Sequence, residues 1–454
     1  MSKRTVVAIE PTLDGGMTIK LFLAPTLFDD ARKPHPFDCD PQQMPPWSQA
    51  QAVKTHGQTI FNRLQSHPAI RSAIKSAMTA PSGDVSPLYF KIDVNDAERL
   101  LWETLCDEQG RFLALDRRWP IGRIADEPVD RPLVEYKFTP PLKILVFLSA
   151  LGIEALPEWE SLRQAVLKGR KSGLLIDLKV FVGEQSLLDA ISQEIQQGLV
   201  GVEVAPLPER MFEIEDLLAE YAPQLVHFFC HGSTAHGVSE LELATILDRL
   251  QQNPVGSIRL RVDQLANMPG LDQAWLITFN CCEGGRPTSD LHSMAHKMVA
   301  SGIPAAVGCL EPITADDAHE FCQAFYPTVF DRLQKLLGGI QEGESVEFEW
   351  VEALRPPRTG LCQKHQNAPD NFRQWALPVI YVRPESFRIK KAGTGIDPES
   401  LKKMSEKAEM VASLLQALPP TTPKEIRDQL LALLVALPPE LLPDPNGQFV
   451  PQGG

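Results

Sequence analysis

The chain has 454 residues, 43% hydrophobic and 22% charged, the balance of a globular protein with room for one large α/β domain plus a smaller module. Its 44 basic and 58 acidic residues leave a net charge of −14, which argues against a broad nucleic-acid-binding surface. No apolar run reaches the ~18 residues of a membrane span, the N-terminus alternates instead of forming a signal-peptide block, and the eight cysteines lack disulfide-framework spacing, so a reduced, cytoplasmic protein without a membrane partner is expected.

Residues 5–10 (TVVAIE) and 17–24 (MTIKLFLA) flank Asp14-Gly15-Gly16 and predict a β-hairpin. Residues 30–50, rich in Pro and Asp, read as a loop before a helix near 50–65; residues 80–87 form another loop before a strand at LYFKIDV and a helix at DAERLLWETLC. Residues 1–140 are thus expected to form a β-rich N-terminal extension. From 142 onward the pattern changes. Apolar, strand-like runs at 143–150, 174–182, 224–230, 272–281, 305–310 and 377–382 alternate with helical patterns at 158–169, 186–199, 211–221, 290–302 and 316–337. That alternation predicts an α/β core over 141–385: a doubly wound, mainly parallel sheet with helices on both faces and functional loops at the carboxyl ends of its strands. Residues 386–398 read as a polar linker. The remainder, 399–454, reads as a small C-terminal helical module, because Asp397-Pro398 and Thr422-Pro423-Lys424-Glu425 are helix starts followed by leucine-rich stripes. Two short helices bury little area by themselves, so this tail should pack on the core or recruit an activating or adaptor protein.

Two strand ends carry reactive side chains and glycines: LVHFFCHG (225–232) and LITFNCCEGG (276–285). Parallel neighbours would bring His231 and Cys282 out at the same edge. The pairing is chemically sensible, since a thiol attacks a carbonyl as thiolate and a nearby imidazole can take its proton and later protonate the leaving amine. The amides of Gly232 and Cys282 are candidates for an oxyanion hole. Strand alternation separates the adjacent thiols: Cys281 falls in phase with Trp275, Ile277 and Phe279, on the core side, and Cys282 with Thr278 and Asn280. His227, Cys230, Cys309 and Cys322 read as packed core residues. A zinc site built from Cys230, His231, Cys281 and Cys282 is disfavoured, because neighbouring residues on a strand point to opposite faces. No metal or organic cofactor is required.

The two segments HFFCHG (227–232) and NCCEGG (280–285), with the His 51 residues before Cys282, resemble those of the CHAT family of caspase-like bacterial peptidases, more distantly related to separase and caspases. The similarity extends to LLWETLCDEQGRFLAL (100–115), Ile121-Gly122-Arg123 and residues 296–326, and it implies a family-like region over roughly residues 1–385, strongest over 85–330, of which 1–140 are the N-terminal part. It implies a caspase-like fold and a cysteine endopeptidase with a His231–Cys282 dyad, acting on a specific protein substrate as a regulated effector in bacterial defence or cell death. Two positions depart from the family pattern. Cys281 stands where a small residue commonly precedes the nucleophile, and Ala315 stands where many relatives carry an acid three positions after the residue matching Pro312. Asp316 and Asp317 follow and are the candidates for the substrate pocket, although as residues opening a helix they also serve as caps. The competing expectation is a catalytically silent scaffold on the same fold that recruits a partner through its C-terminal helices. A small-molecule hydrolase is a third.

Overall fold

The β-branched and aromatic runs assemble, in a computed structural model that describes residues 4–81, 83–126, 135–235, 238–280, 291–392 and scattered positions between 407 and 430, around one large sheet. In chain order the strands are β1 (Thr5–Pro11), β2 (Met17–Leu23), β3 (His35–Pro36), β4 (Leu88–Ile92), β5 (Ile121–Ile124), β6 (Glu135–Phe138), β7 (Leu142–Leu148), β8 (Ile176–Val182), β9 (Val202–Pro206), β10 (Leu225–Phe229), β11 (His231–Ala235), β12 (Val238–Leu243), β13 (Ile258–Arg261), β14 (Leu276–Phe279), β15 (Ala305–Cys309), β16 (Ser345–Glu347), β17 (Pro378–Val382) and β18 (Arg388–Lys391). Twelve of them form the sheet, in the order β3-β2-β1-β4-β5-β17-β15-β14-β10-β7-β8-β9.

All six expected core strands are present, and β14, β10, β7 and β8 are mutually parallel neighbours. β17 runs antiparallel to β15, so the sheet is mainly parallel. Paired residues on adjacent strands share a face. Leu145, Val226, Ile277, Ala306 and Tyr381 lie on one side, where the helix Leu291–Ala300 brings His296 edge-on to Tyr381. Val146, His227, Thr278 and Val307 lie on the other, where the helices Leu156–Lys171 and Ala315–Gly338 supply Glu158 and Tyr326 to His227. Helices therefore cover both faces.

The N-terminal hairpin forms as the turn signal predicts, with Ala8 opposite Lys20 and Gly15 at φ 84°, a conformation that costs a glycine nothing. The extension joins the core directly: β4 pairs with β1 and β5, and β5 runs parallel to β17, so β1 to β5 continue the core sheet. Three further differences have identifiable physical causes. The helix expected at DAERLLWETLC is one turn, Asn95–Glu98, followed by a 3-10 turn Trp102–Thr104, because burying Trp102 and pairing Glu103 with Arg123 outweigh helix propensity. A helix at Pro68–Thr79 was not anticipated; it starts with Pro68 in its first turn and His67 accepting from the amides of Ala69 and Ile70. The supposed linker 386–398 contains β18, whose Ile389 is buried while β6 and β16 pair on either side. Of the C-terminal tail, Val411 is buried and Met410, Leu414 and Ile426 are exposed.

Candidate active site

Because β7, β10 and β14 are parallel and adjacent, their carboxyl ends meet at one edge, tied by the amide of Ser149 donating to the Phe229 carbonyl (2.8 Å) and the amide of Asn280 to the Phe228 carbonyl (2.9 Å). At this edge the chain leaves the main sheet after Cys230 and enters a small antiparallel sheet, β11-β12-β13. His231 opens that sheet, opposite Glu242, whose carboxylate is engaged with Arg259 and the Gly256 amide, both at 2.8 Å.

The ring of His231 is oriented by the backbone. Its Nε2 lies 2.7 Å from the carbonyl oxygen of Leu151, an obligate acceptor, so the proton sits on Nε2 and the lone pair on Nδ1. Nδ1 is shielded from solvent and has no hydrogen-bond partner among the described residues. The turn carrying Leu151 is itself braced on both sides. Arg249 donates from Nη2 to the carbonyls of Ala150 (2.5 Å) and Ile153 (3.2 Å) and to Glu184 (2.8 Å), while Glu184 accepts from the Ala155 amide (3.1 Å). Arg249 comes from a five-residue helix, Ile246–Leu250, started by a reciprocal Thr245–Asp248 capping box.

Beneath the edge, on the face of Thr278 and Asn280, lies a buried polar cluster centred on Glu158 in the first turn of the helix Leu156–Lys171, where Pro157 suits the helix start. Glu158 is fully buried. Asn280 donates from Nδ2 to its Oε1 (2.6 Å) and to the Ala318 carbonyl (2.9 Å), and His319 Nδ1 lies 2.7 Å from Oε2. His227 Nε2 is 3.0 Å from Oε1 but poorly aligned, so that contact is electrostatic more than a directed hydrogen bond; its Nδ1 bonds to the Tyr326 hydroxyl at 2.9 Å. Burial alone would raise the Glu158 carboxyl, yet the two histidines outweigh it and hold it down at about 2. Burial, with the Glu158 charge next, pushes the neighbouring Cys322 thiol well up, so Cys322 is an inert thiol at neutral pH.

Of the expected site residues, His231, Gly232, Asp316 and Asp317 are among the described ones. Cys282, its neighbours Cys281 and Glu283, and the amide proposed for the oxyanion hole lie outside the described residues; the chain is described up to Asn280. Gly232 is buried in β11 opposite Leu241. Asp316 is exposed in the first turn of the helix Ala315–Gly338, whereas Asp317 is 2% exposed and its Oδ1 is engaged by Lys364 Nζ (3.0 Å) and His365 Nε2 (2.9 Å). The six described cysteines are buried and none is in a disulfide; Cys230 and Cys322 are fully buried. Among the described residues no His, Cys, Asp and Glu cluster suits a metal ion. No described helix is long and apolar enough to cross a membrane. Leu151, Arg249 and Glu158 were not singled out from the sequence. Leu151 acts through its carbonyl, which every residue has, so no signal could have revealed it. An acid on the apolar side of an amphipathic helix start was the available sign of Glu158.

A family model described as the CHAT domain matches residues 148–381, which run from the last residue of β7 into β17 and contain the ends of β10 and β14. Two crystal structures of the Saccharomyces cerevisiae separase–securin complex are similar at 13% identity, with TM-scores of 0.31 and 0.32. Each comparison covers 73% of this chain but only 18% and 17% of the yeast chains. No curated protein matches the chain.

Proposed function

Since the chain belongs to the CHAT-domain family, with the match covering residues 148–381, we propose that it is a cysteine endopeptidase in which His231 is the general base and acid and Cys282 the nucleophile. The observation that supports this most is the state of His231. Its Nε2 proton is committed to the Leu151 carbonyl, which leaves Nδ1 with an available lone pair at the edge where β14 ends in Asn280, two residues before Cys282 in the sequence. In that role Nδ1 takes the thiol proton, the thiolate adds to the scissile carbonyl, and the imidazolium returns the proton to the leaving amine. The acyl-enzyme is then cleaved by a water that His231 deprotonates. The Leu151 carbonyl does for the imidazolium what a carboxylate does in other triads: it accepts the Nε2 proton throughout and holds the ring. Gly232 and the Cys282 amide are the proposed oxyanion donors. The proposed substrate is a specific protein, and the proposed setting is regulated bacterial defence or cell death in the cytoplasm, with the C-terminal module as the docking element for an activator.

A peptide probe bearing a thiol-reactive warhead tests the reading. Mass spectrometry should find it on Cys282, and His231→Ala should suppress labelling by roughly a hundredfold or more. Equal labelling of wild type and His231→Ala would reject the dyad and favour the non-catalytic scaffold.

A further inference from the structure

The polar cluster around Glu158 is more elaborate than packing requires. Packing alone does not call for an ionised carboxylate among two histidines and an asparagine, since a well-packed apolar cluster of the same shape is often as stable. What such a hub supplies is fixed geometry. Its members come from four separate elements: Glu158 from one helix, His227 from β10, Asn280 from the end of β14, and Ala318, His319 and Tyr326 from the helix after β15. Asn280 is where they converge. Its backbone amide is held by Phe228, both polar contacts of its Nδ2 are made, and it is 1% exposed.

We propose that Glu158 is a positioning residue for the nucleophile: through Asn280 it fixes the direction in which β14 ends, two residues before Cys282, and so sets whether the thiol lies within reach of His231. The proposal rests on the peptidase reading above. Glu158 touches neither the described base nor, in this account, the substrate. It acts by pinning the strand end in the way that outer partners pin catalytic ligands, where small displacements cost large factors in rate. The essential feature is the oxygen offered to Asn280, not the charge. A glutamine at 158 retains that oxygen and turns its amide toward His319, whose ring can change tautomer and accept.

The test measures alkylation of Cys282 by iodoacetamide as a function of pH in the full chain, mapped by fragmentation mass spectrometry, beside peptide-cleavage kinetics and thermal unfolding. In the wild type the profile should have its midpoint below the ~8.5 of an ordinary thiol. Asn280→Ala and Glu158→Leu should lower the neutral-pH rate by ~10- to 100-fold, return the midpoint toward ~8.5, and lower kcat by a similar factor with KM unchanged. Glu158→Gln should keep near wild-type thiol reactivity. If Glu158→Leu does not fold, Asn280→Ala, which removes only one arm of the hub, carries the test. A wild-type-like Cys282 profile in a folded Asn280→Ala protein would overturn the proposal and leave the peptidase intact. A wild-type Cys282 that behaves as an ordinary thiol and ignores His231→Ala would remove the dyad, and the proposal with it.

Discussion

Two adjacent thiols, Cys281 and Cys282, differ in what strand alternation offers them. Phe279, in phase with Cys281, stacks on Phe228 in the core, whereas Asn280, in phase with Cys282, lies on the face of His227. Cys282→Ala should therefore abolish peptide cleavage, a loss of several orders of magnitude, while Cys281→Ala should keep most activity at a cost of roughly 1–2 kcal/mol. Activity and unfolding measured on the same samples separate the two, and an essential Cys281 would place the nucleophile one residue earlier. Glu158 gives a second prediction, in acid. Its carboxyl sits at about 2 against an ordinary 4.5, so its contribution to stability is complete above 4.5 and is lost as pH falls from there toward 2. Urea midpoints measured across that window should fall more steeply for the wild type than for Glu158→Gln, by a difference amounting to roughly 2–3 kcal/mol. Parallel curves would mean that Glu158 is not held ionised in the native state.

The five-residue helix Ile246–Leu250 shows how a short element can be held without a large apolar face. Asp248 accepts from the amides of Thr245 (2.8 Å) and Ser257 (2.9 Å), from both of their hydroxyls, and from Asn253 Nδ2 (2.8 Å). One carboxylate thus closes the turn from 245 to 257 and aims Arg249 at the Leu151 turn. Asp248→Ala leaves several buried donors unsatisfied and should cost ~2–3 kcal/mol. Hydrogen exchange should quicken over 245–257 and 149–155 together, and cleavage should slow more than unfolding accounts for. If exchange at 149–155 is unchanged, Arg249 does not brace the turn that orients His231.

The large sheet makes the family-matched region dependent on what precedes it. β17 has β15 on one side and β5 on the other, and the join is reinforced by Arg123, fully buried with its guanidinium on Glu98 and Glu103, and by Arg358, which donates to the carbonyls of Ile121 and Pro378. Trp375 and Leu361 pack into the core cluster of the N-terminal half. Removing residues 1–140 would bare the β17 edge, these tryptophan and leucine faces and a buried arginine at once. A fragment spanning 141–392 should aggregate, whereas residues 1–392 should unfold in a single cooperative transition. Recovery of a soluble, cooperatively folding 141–392 fragment would show that the sheet divides at β5–β17. Deleting 396–454 should leave the core folded while altering activation or partner binding, and aggregation on that deletion would assign the tail to the core instead.

Apolar runs were enough to recognise the core strands and to set His231 just beyond the carboxyl end of one of them, because those features depend on local alternation and on short-range strand ends. The same alternation placed Asn280 on the face of His227. Pairing across long separations was not written in any local pattern: β5 beside β17, β18 within the supposed linker, and Glu103 drawn from an expected helix to Arg123 all depend on partners far along the chain. The groups that surround the strand ends were hidden for the same reason. A backbone carbonyl at Leu151 has no side-chain signature, and the worth of Glu158 and Arg249 lies in which groups surround the carboxylate and the guanidinium once helices and strands have packed, since burial and neighbours, not residue type, set what an ionisable group can do.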